Sequence, residues 1–432
     1  MQTVTVREHA RLTTQKLSAS DAARPLDRAQ ISATAFDWLC ELSSGLRVAG
    51  AALVHAENRT WLRLDNFVGV VQTPCGTVIE ILPKHYDTED AAPRSRLLLR
   101  RLILEALDLP ARVTEEAALE IFDGPVSEWL IRQFLRELDV LVKRGLRFHY
   151  QRLEDEARFL RGQLNVTRQM QQWPGREHRF HIRHDLHLPD RPENRLLRRA
   201  LDQVCKATQD PANWRLAHEL RTIMLKVPRS ANLDSDFRRW SHDRLMAHYE
   251  AVEPWCRLIL GHQVPLAVAG AWQGISLLFP MEKLFERCVT KALRQLIDPH
   301  ARLHTPARSQ YLCRHDESRI FRLEPDMLVT HGESAWVLDC KWKRVDDDRK
   351  SKYGLSQPDF YQLFAYGHRY MAGKGDLFLI FPRGAEFPEE RLFDFDAGMR
   401  LWLIPFDIDG AGFNLDHLVA LPLTVQIATL ET

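Results

Sequence analysis

Residues Phe321 to Lys343 read FRLEPDMLVTHGESAWVLDCKWK, and this stretch leaves few folds open. Two apolar runs, Met327-Leu328-Val329 and Trp336-Val337-Leu338, flank the turn His331-Gly332-Glu333-Ser334. Short apolar runs bounded by turn residues predict two strands paired antiparallel. Pro325-Asp326 is placed in the first strand, and Asp339-Cys340-Lys341 ends the second. Alternation across a strand gives Asp339 and Lys341 one face, and Leu338, Cys340 and Trp342 the other. Pairing through the turn then brings Asp326 close to Asp339. Neighbouring carboxylates repel, and a divalent cation held by both relieves the repulsion. Mg²⁺ suits such a site, because it takes oxygen ligands and keeps several waters. Held by Asp326, Asp339 and the Cys340 carbonyl, it would polarise a phosphate oxygen and acidify a bound water. Lys341 would orient that water or stabilise the charge developing on the phosphoryl group. Strand-end carboxylates beside a solvated lysine give the same spacing, so both explanations stand on this stretch alone.

Two flanking segments add candidates. Upstream, Met281 opens a helical pattern with the apolar stripe Leu284, Phe285, Cys288, Val289, Ala292, Leu293 and Leu296. Glu286 lies at one border of the stripe and Glu282 one turn earlier, where a carboxylate can reach a sheet edge. A glutamate favoured by the helix dipole is the competing explanation. Downstream, Asp359-Phe-Tyr-Gln-Leu-Phe-Ala-Tyr-Gly opens a second helix, on which Gln362 and Tyr366 share a face. An amide and a phenol there can bind a nucleic-acid backbone; ordinary helix surface fits them equally well.

The order Glu286, Pro325-Asp326, Asp339-Cys340-Lys341, Gln362-xxx-Tyr366 resembles the PD-(D/E)xK nuclease superfamily, in its RecB-like branch. More narrowly, the chain resembles the McrC family, nuclease subunits of McrBC modification-dependent restriction systems. Further blocks carry that likeness: the Gly69–His85 stretch GVVQTPCGTVIEILPKH, Gly145-Leu-Arg with Tyr150, Leu160-Arg-Gly-Gln-Leu164, and Pro192-Glu-Asn-Arg-Leu-Leu197. The resemblance runs from about Phe67 to about Phe381. Its one departure at the site is Cys340, a position that offers only its carbonyl.

The resemblance implies a C-terminal PD-(D/E)xK restriction-endonuclease-like α/β domain that cuts double-stranded DNA with modified cytosine. Asp326, Asp339 and Lys341 would be catalytic; Glu286, Asp326 and Asp339 would hold Mg²⁺; Gln362 and Tyr366 would contact DNA. It also implies a partner, an McrB-type AAA+ GTPase hexamer that recognises modified DNA and translocates. This chain would dock through its N-terminal half and stimulate GTP hydrolysis, with Arg144, Arg147 and Arg161 as candidates to reach the nucleotide. The chain has no GxxxxGK[ST] loop, which fits dependence on such a partner. Two alternatives remain at this level: a stand-alone RecB-like Mg-dependent DNA nuclease, and a non-catalytic adaptor of the GTPase. An adaptor would be expected to lack a carboxylate or the lysine, and none is missing. The clustered cysteines of some RecB-like relatives are absent.

A length of 432 residues allows two or three domains, and 45% hydrophobic with 27% charged residues fits a soluble globular protein. The net charge of +1 leaves any nucleic-acid contact to local patches. Seven dispersed cysteines without CxxC pairs argue against zinc ribbons and fit reduced thiols in a cytoplasmic protein. No apolar run predicts a membrane span, and the first residues lack a signal-peptide pattern.

The predicted fold class is α/β multidomain, with boundaries at 1–92, 93–270 and 271–432. The first part is β-rich and would dock the partner: a strand at Val4 and Val6, a loop to Pro25, a helix over Phe36–Leu42, and strands at Trp61–Leu64, Phe67–Val71 and Thr77–Leu82. The central part is mostly helical, over Ser95–Leu107, Ser127–Gly145, Pro192–Thr208, Trp214–Leu225 and Asp243–Leu260. Ser127 is the expected N-cap and Gly145 the C-cap of the second. Between them Leu146–Tyr150 and Phe159–Val166 read as a hairpin arm around a turn-like Glu154-Asp-Glu-Ala, followed by a strand at His178–His187. The histidines 178, 181, 184 and 187 alternate faces in such a strand, which argues against one shared metal ion. Gly270–Gly274 would mark the join to the last part, and strands at Asp376–Phe381 and Arg400–Asp407 would extend its sheet. Leu418–Ile427 would be an edge strand or tail.

Overall fold

The computed structural model describes residues 3–18, 21, 24–45, 53–85, 91–106, 124–176, 178–260, 277–395, 398–410, 412–418 and 420–424. The fold is mixed α/β and multidomain. Its residues gather into two units, one drawn from 70–79 and 122–277, the other from 3–69, 80–121 and 278–432. Gly270–Gly274 lies outside the described residues, as do Leu107 and 425–427.

The second unit is built around a sheet in the order Arg302–His304, Met327–His331, Ser334–Cys340, Gly375–Pro382, Met399–Asp407, Arg391–Phe395, with Gly412–Phe413 pairing Met399–Asp407. Met327–His331 and Ser334–Cys340 form the expected antiparallel hairpin, with His331 opposite Ser334. Ser334–Cys340, Gly375–Pro382 and Met399–Asp407 run parallel. A parallel pair needs a crossover, and the Gln357–Tyr370 helix supplies it between the first two. Val337, Leu377, Leu379, Leu401 and Leu403 form a buried cluster with Leu363 and Tyr366 of that helix. The next residues along each strand face the other way, where Phe285 of the Met281–Leu296 helix meets Phe406 at 5.8 Å. The two helices therefore cover opposite faces.

In the same unit Arg28–Gln30, Arg11–Thr13, Trp61–Leu64 and Val54–Ala56 form a smaller sheet. The expected loop before Pro25 thus carries a strand, Arg11–Thr13, paired in parallel with Arg28–Gln30. A two-stranded ribbon, Gln310–His315 with Ser318–Leu323, precedes Pro325.

The first unit holds the Val126–Arg144, Pro192–Ala207 and Pro211–Ile223 helices, short helices at Leu233–Arg238 and Glu253–Ile259, and a three-stranded sheet. Trp129 meets Trp255 edge-on at 5.9 Å in its core. The Val126–Arg144 helix is preceded by Pro125, so Ser127 lies inside it and is not the N-cap. Gly145 does cap the other end, at φ 100°, with its N–H donating to Leu141 and Val142 carbonyls. The hairpin arm differs from expectation. His149–Ala157 is one continuous strand, and its partner is Phe180–Leu188, flanked by Gln163–Leu164. Glu154 to Ala157 is therefore not a turn. Its two glutamates are paired across strands, Glu154 with Arg183 at 2.5 Å and Glu156 with Arg179 at 3.3 Å. Asp243–Leu260 is not one helix either: a 3-10 turn at Arg244–Tyr249 and the Glu253–Ile259 helix meet where Pro254 cannot donate a backbone hydrogen bond.

All seven cysteines are free thiols. Among the described residues no helix is long and apolar enough to cross a membrane.

Candidate active site

Asp326 stands at a bend just before the Met327–His331 strand, not within it as the sequence predicts. Pro325 has no N–H for a ladder, so the strand cannot begin earlier than the residues after it. The register continues past Met327 opposite Leu338, which puts Asp326 beside Asp339. Where the backbone ladder ends, the Asp326 side chain replaces it: the Cys340 N–H donates to Asp326 Oδ2 at 2.9 Å. On the far side of the same strand end, the Lys341 N–H donates to the Ile380 carbonyl at 2.9 Å. Both acidic groups are thus fixed at the end of a buried strand.

The predicted alternation holds across this segment. Lys341 Nζ lies 2.5 Å from Asp339 Oδ2 and donates to Gln362 Oε1 at 3.5 Å, on the face of the Gln357–Tyr370 helix. Trp342 points the other way and meets Phe285 at 5.5 Å. Gln362 is exposed and donates to the Tyr366 hydroxyl at 2.7 Å. Tyr366 itself is 3% exposed, so it is a core residue whose phenol supports Gln362.

Glu286, on the Met281–Leu296 helix, is half-buried and ion-paired with Lys283. Lys283 Nζ also lies 3.9 Å from Asp326 Oδ1. One ammonium therefore bridges the helix carboxylate and the carboxylate at the strand end. Glu282 is exposed one turn earlier. Lys283 carries a signal that sequence reasoning passed over: it is three residues before Glu286, a spacing that pairs charges on one helix edge.

The electrostatics follow from crowding acids in a poorly solvated place. Asp339 is 2% exposed; burial, then the Asp326 charge, push its carboxyl up to about 7 against the pull of Lys341. Burial and Asp326 also raise the Glu286 carboxyl. Burial lowers the Lys341 ammonium, but the Asp339 carboxylate outweighs it and holds the amine well above its ordinary range. Burial and the Asp339 charge push the Tyr366 phenol up to about 12. Among the described residues no group of three or more His, Cys, Asp and Glu side chains is spaced as a ready metal cage. Lys283 and Lys341 instead supply positive charge to the three acids. The donor set is hard oxygen, and Asp339 Oδ2 is buried in an ion pair that lacks hydrogen-bonding geometry. Both features fit a hard divalent cation.

The remaining candidates lie in the first unit. Arg144, Arg147 and Arg161 are all exposed, and the Arg147 N–H donates to the Tyr249 hydroxyl at 2.8 Å. His181 and His184 lie in the Phe180–Leu188 strand and belong to no such metal-spaced group.

Comparison with known proteins sets this geometry in a family. A structure described as the refined half-complex from a tetradecameric assembly of Thermococcus gammatolerans McrB AAA+ hexamers with bound McrC contains a similar chain. It is 17% identical, with 96% of this chain and 97% of that chain covered and a TM-score of 0.73. The cryo-EM structure of the Thermococcus gammatolerans McrBC complex contains a chain 19% identical, with 68% of this chain and 88% of that chain covered and a TM-score of 0.54. Identities this low speak for the fold. No curated protein matches. The family model for McrBC 5-methylcytosine restriction system components matches residues 62–382, well over half of the chain. The chain therefore belongs to the family of McrBC 5-methylcytosine restriction system components.

Proposed function

We propose that this chain is the DNA endonuclease subunit of a GTP-dependent, McrBC-like restriction complex. It cuts double-stranded DNA carrying modified cytosine and stimulates the GTPase of an McrB-type AAA+ partner. The 302–407 sheet with its two covering helices is, on this reading, a PD-(D/E)xK restriction-endonuclease-like domain. The observation that carries the proposal is the meeting of Asp326, Asp339 and Lys341 at adjacent strand ends, with Glu286 and Lys283 beside them. The likeness to chains solved with McrB hexamers supports a similar partnership. The stretches 1–92, 93–270 and 271–432 are proposed as roles along the chain: docking, linking with the hairpin arm, and cutting. The compartment proposed is the cytoplasm.

Glu286, Asp326 and Asp339 would hold Mg²⁺, with the Cys340 carbonyl at hand. Bound there, the ion supplies Lewis acidity to a phosphoryl oxygen and an acidified water. The chain's own groups do the rest. The Cys340 N–H fixes the Asp326 carboxyl, so it costs no reordering when a ligand arrives. Lys341, held by Asp339 and steered by Gln362, keeps its proton and stabilises negative charge growing on the phosphoryl oxygens. Gln362 would contact the DNA backbone from its exposed position, and Tyr366 would hold it there.

The test uses the full chain together with an McrB-type AAA+ GTPase. Asp339→Asn should abolish cleavage and leave stimulated GTP hydrolysis intact. A folded variant that loses both activities would refute separate roles. Metal-dependent cleavage by the chain alone would favour a stand-alone nuclease.

A further inference from the structure

Beside the acidic centre, within the same unit, lies a cavity of about 520 Å³. Its walls come from the residues after the Ser334–Cys340 and Gly375–Pro382 strands, together with His9, Lys84 and His85. Cavities at the carboxyl ends of parallel strands are where α/β sheets bind ligands. The chemistry of the lining is specific. Lys84, Arg344 and Arg383 are exposed cations at its rim. The Trp342 and His85 rings stand 6.0 Å apart, tilted by 37°. Glu8, 1% exposed, lines it too. One Glu8 oxygen accepts from Trp342 Nε1 at 2.7 Å and from the Lys84 N–H at 2.8 Å, while the other, Oε2, has no hydrogen-bond partner.

We infer that this cavity is a nucleotide subsite, taking one nucleotide with its base toward the Trp342 and His85 rings and Glu8 and its phosphate toward Lys84 and Arg383. The volume exceeds what a bare phosphate needs and suits a base with its sugar. Rings and rim cations together are how single-stranded nucleic acid is held. An unpaired buried acceptor in such a wall matches the amine or ring N–H of a base. The subsite also gives a shared purpose to two sequence blocks far apart in the chain: Lys84-His85 closes IEILPKH, and Trp342 belongs to DCKWK. The Arg344 guanidinium ties them by donating to the His85 carbonyl at 2.7 Å. Only the source of the nucleotide rests on the proposed cutting role: the natural occupant would belong to the DNA strand flanking the cut bond. A free nucleotide shares the chemistry.

The test measures binding without cleavage. A fluorescent single-stranded octanucleotide is titrated into the full chain in metal-free buffer and followed by anisotropy. Unlabelled dCMP and inorganic phosphate serve as competitors. Lys84→Ala combined with Arg383→Ala should weaken oligonucleotide binding by about tenfold or more, since each removes a charge-assisted contact. Glu8→Gln, which keeps the acceptor for Trp342, provides a second variant should the double variant melt early; it should weaken competition by dCMP. Undiminished binding in both folded pocket variants overturns the inference, as does phosphate competing as well as dCMP. Binding of dCMP through these residues with no oligonucleotide binding upholds the nucleotide site and overturns the strand as its source. A chain that cuts no DNA yet loses oligonucleotide binding in the pocket variants sinks the cutting role and leaves this subsite standing.

Discussion

Replacing Asp339 by Asn should stabilise the metal-free protein, and the gain should grow with pH. The Asp339 carboxyl is 2% exposed and is pushed from 3.8 to about 7 by burial and by Asp326. In the unfolded chain it titrates near its ordinary value. Below about pH 4 it is protonated in both states and resembles Asn, so replacement changes little. Between about pH 4 and about pH 7 the unfolded state gives up the proton first, and folding loses ground steadily. Above about pH 7 both states are ionised and the loss levels off. At 1.36 kcal/mol per tenfold, a rise from 3.8 to about 7 sets a ceiling of about 4 kcal/mol, the Lys341 attraction already included. Relaxation and water entry reduce such figures, and about 2 kcal/mol is expected, enough to move a melting midpoint by about 2–4 °C. Thermal melts of both proteins with a chelator, at about pH 5 and about pH 8, measure it. A difference independent of pH, or a variant less stable than wild type at the higher pH, would refute the reasoning.

Other expectations follow from single contacts. Tyr249→Phe should cost about 1–3 kcal/mol in a urea melt, because the buried hydroxyl accepts from the Arg147 N–H and donates to Asn194 Oδ1, each at 2.8 Å. Gly367→Ala should destabilise by about 1–3 kcal/mol, since a Cβ there would come within 2.6 Å of Met399 Sδ under the sheet. Gln362→Leu should lower the cleavage rate and leave the melt nearly unchanged, because Gln362 is exposed while steering Lys341. Lys283→Met should weaken the metal-free fold at neutral pH and strengthen Mg²⁺ binding, because it removes the ammonium that bridges Glu286 and Asp326.

The hairpin that carries the site was legible because its apolar runs alternate around an unambiguous turn. The Met281–Leu296 helix was legible from its apolar stripe, and the helix opening near Asp359 from the four-residue spacing of Gln362 and Tyr366. What escaped was set by partners distant in sequence. Glu154-Asp-Glu-Ala has the polarity of a turn, yet lies in a strand because arginines across the sheet neutralise it. The Gln310–His315 ribbon is mostly exposed, so no alternation marks it. Tyr366 shares a face with Gln362 as expected, but only the packing of Leu377 and Met399 nearby makes it a core residue. Nothing local to Glu8 announces that a tryptophan more than three hundred residues away donates to it.

Isothermal titration of Mg²⁺ into the full-length chain is the most direct measurement. Binding of one ion per chain, lost in Asp326→Asn and in Asp339→Asn while both variants stay folded, is the predicted result. Undiminished binding in both variants, or no binding by the wild-type chain even with duplex DNA present, would contradict a cutting centre built on these acids.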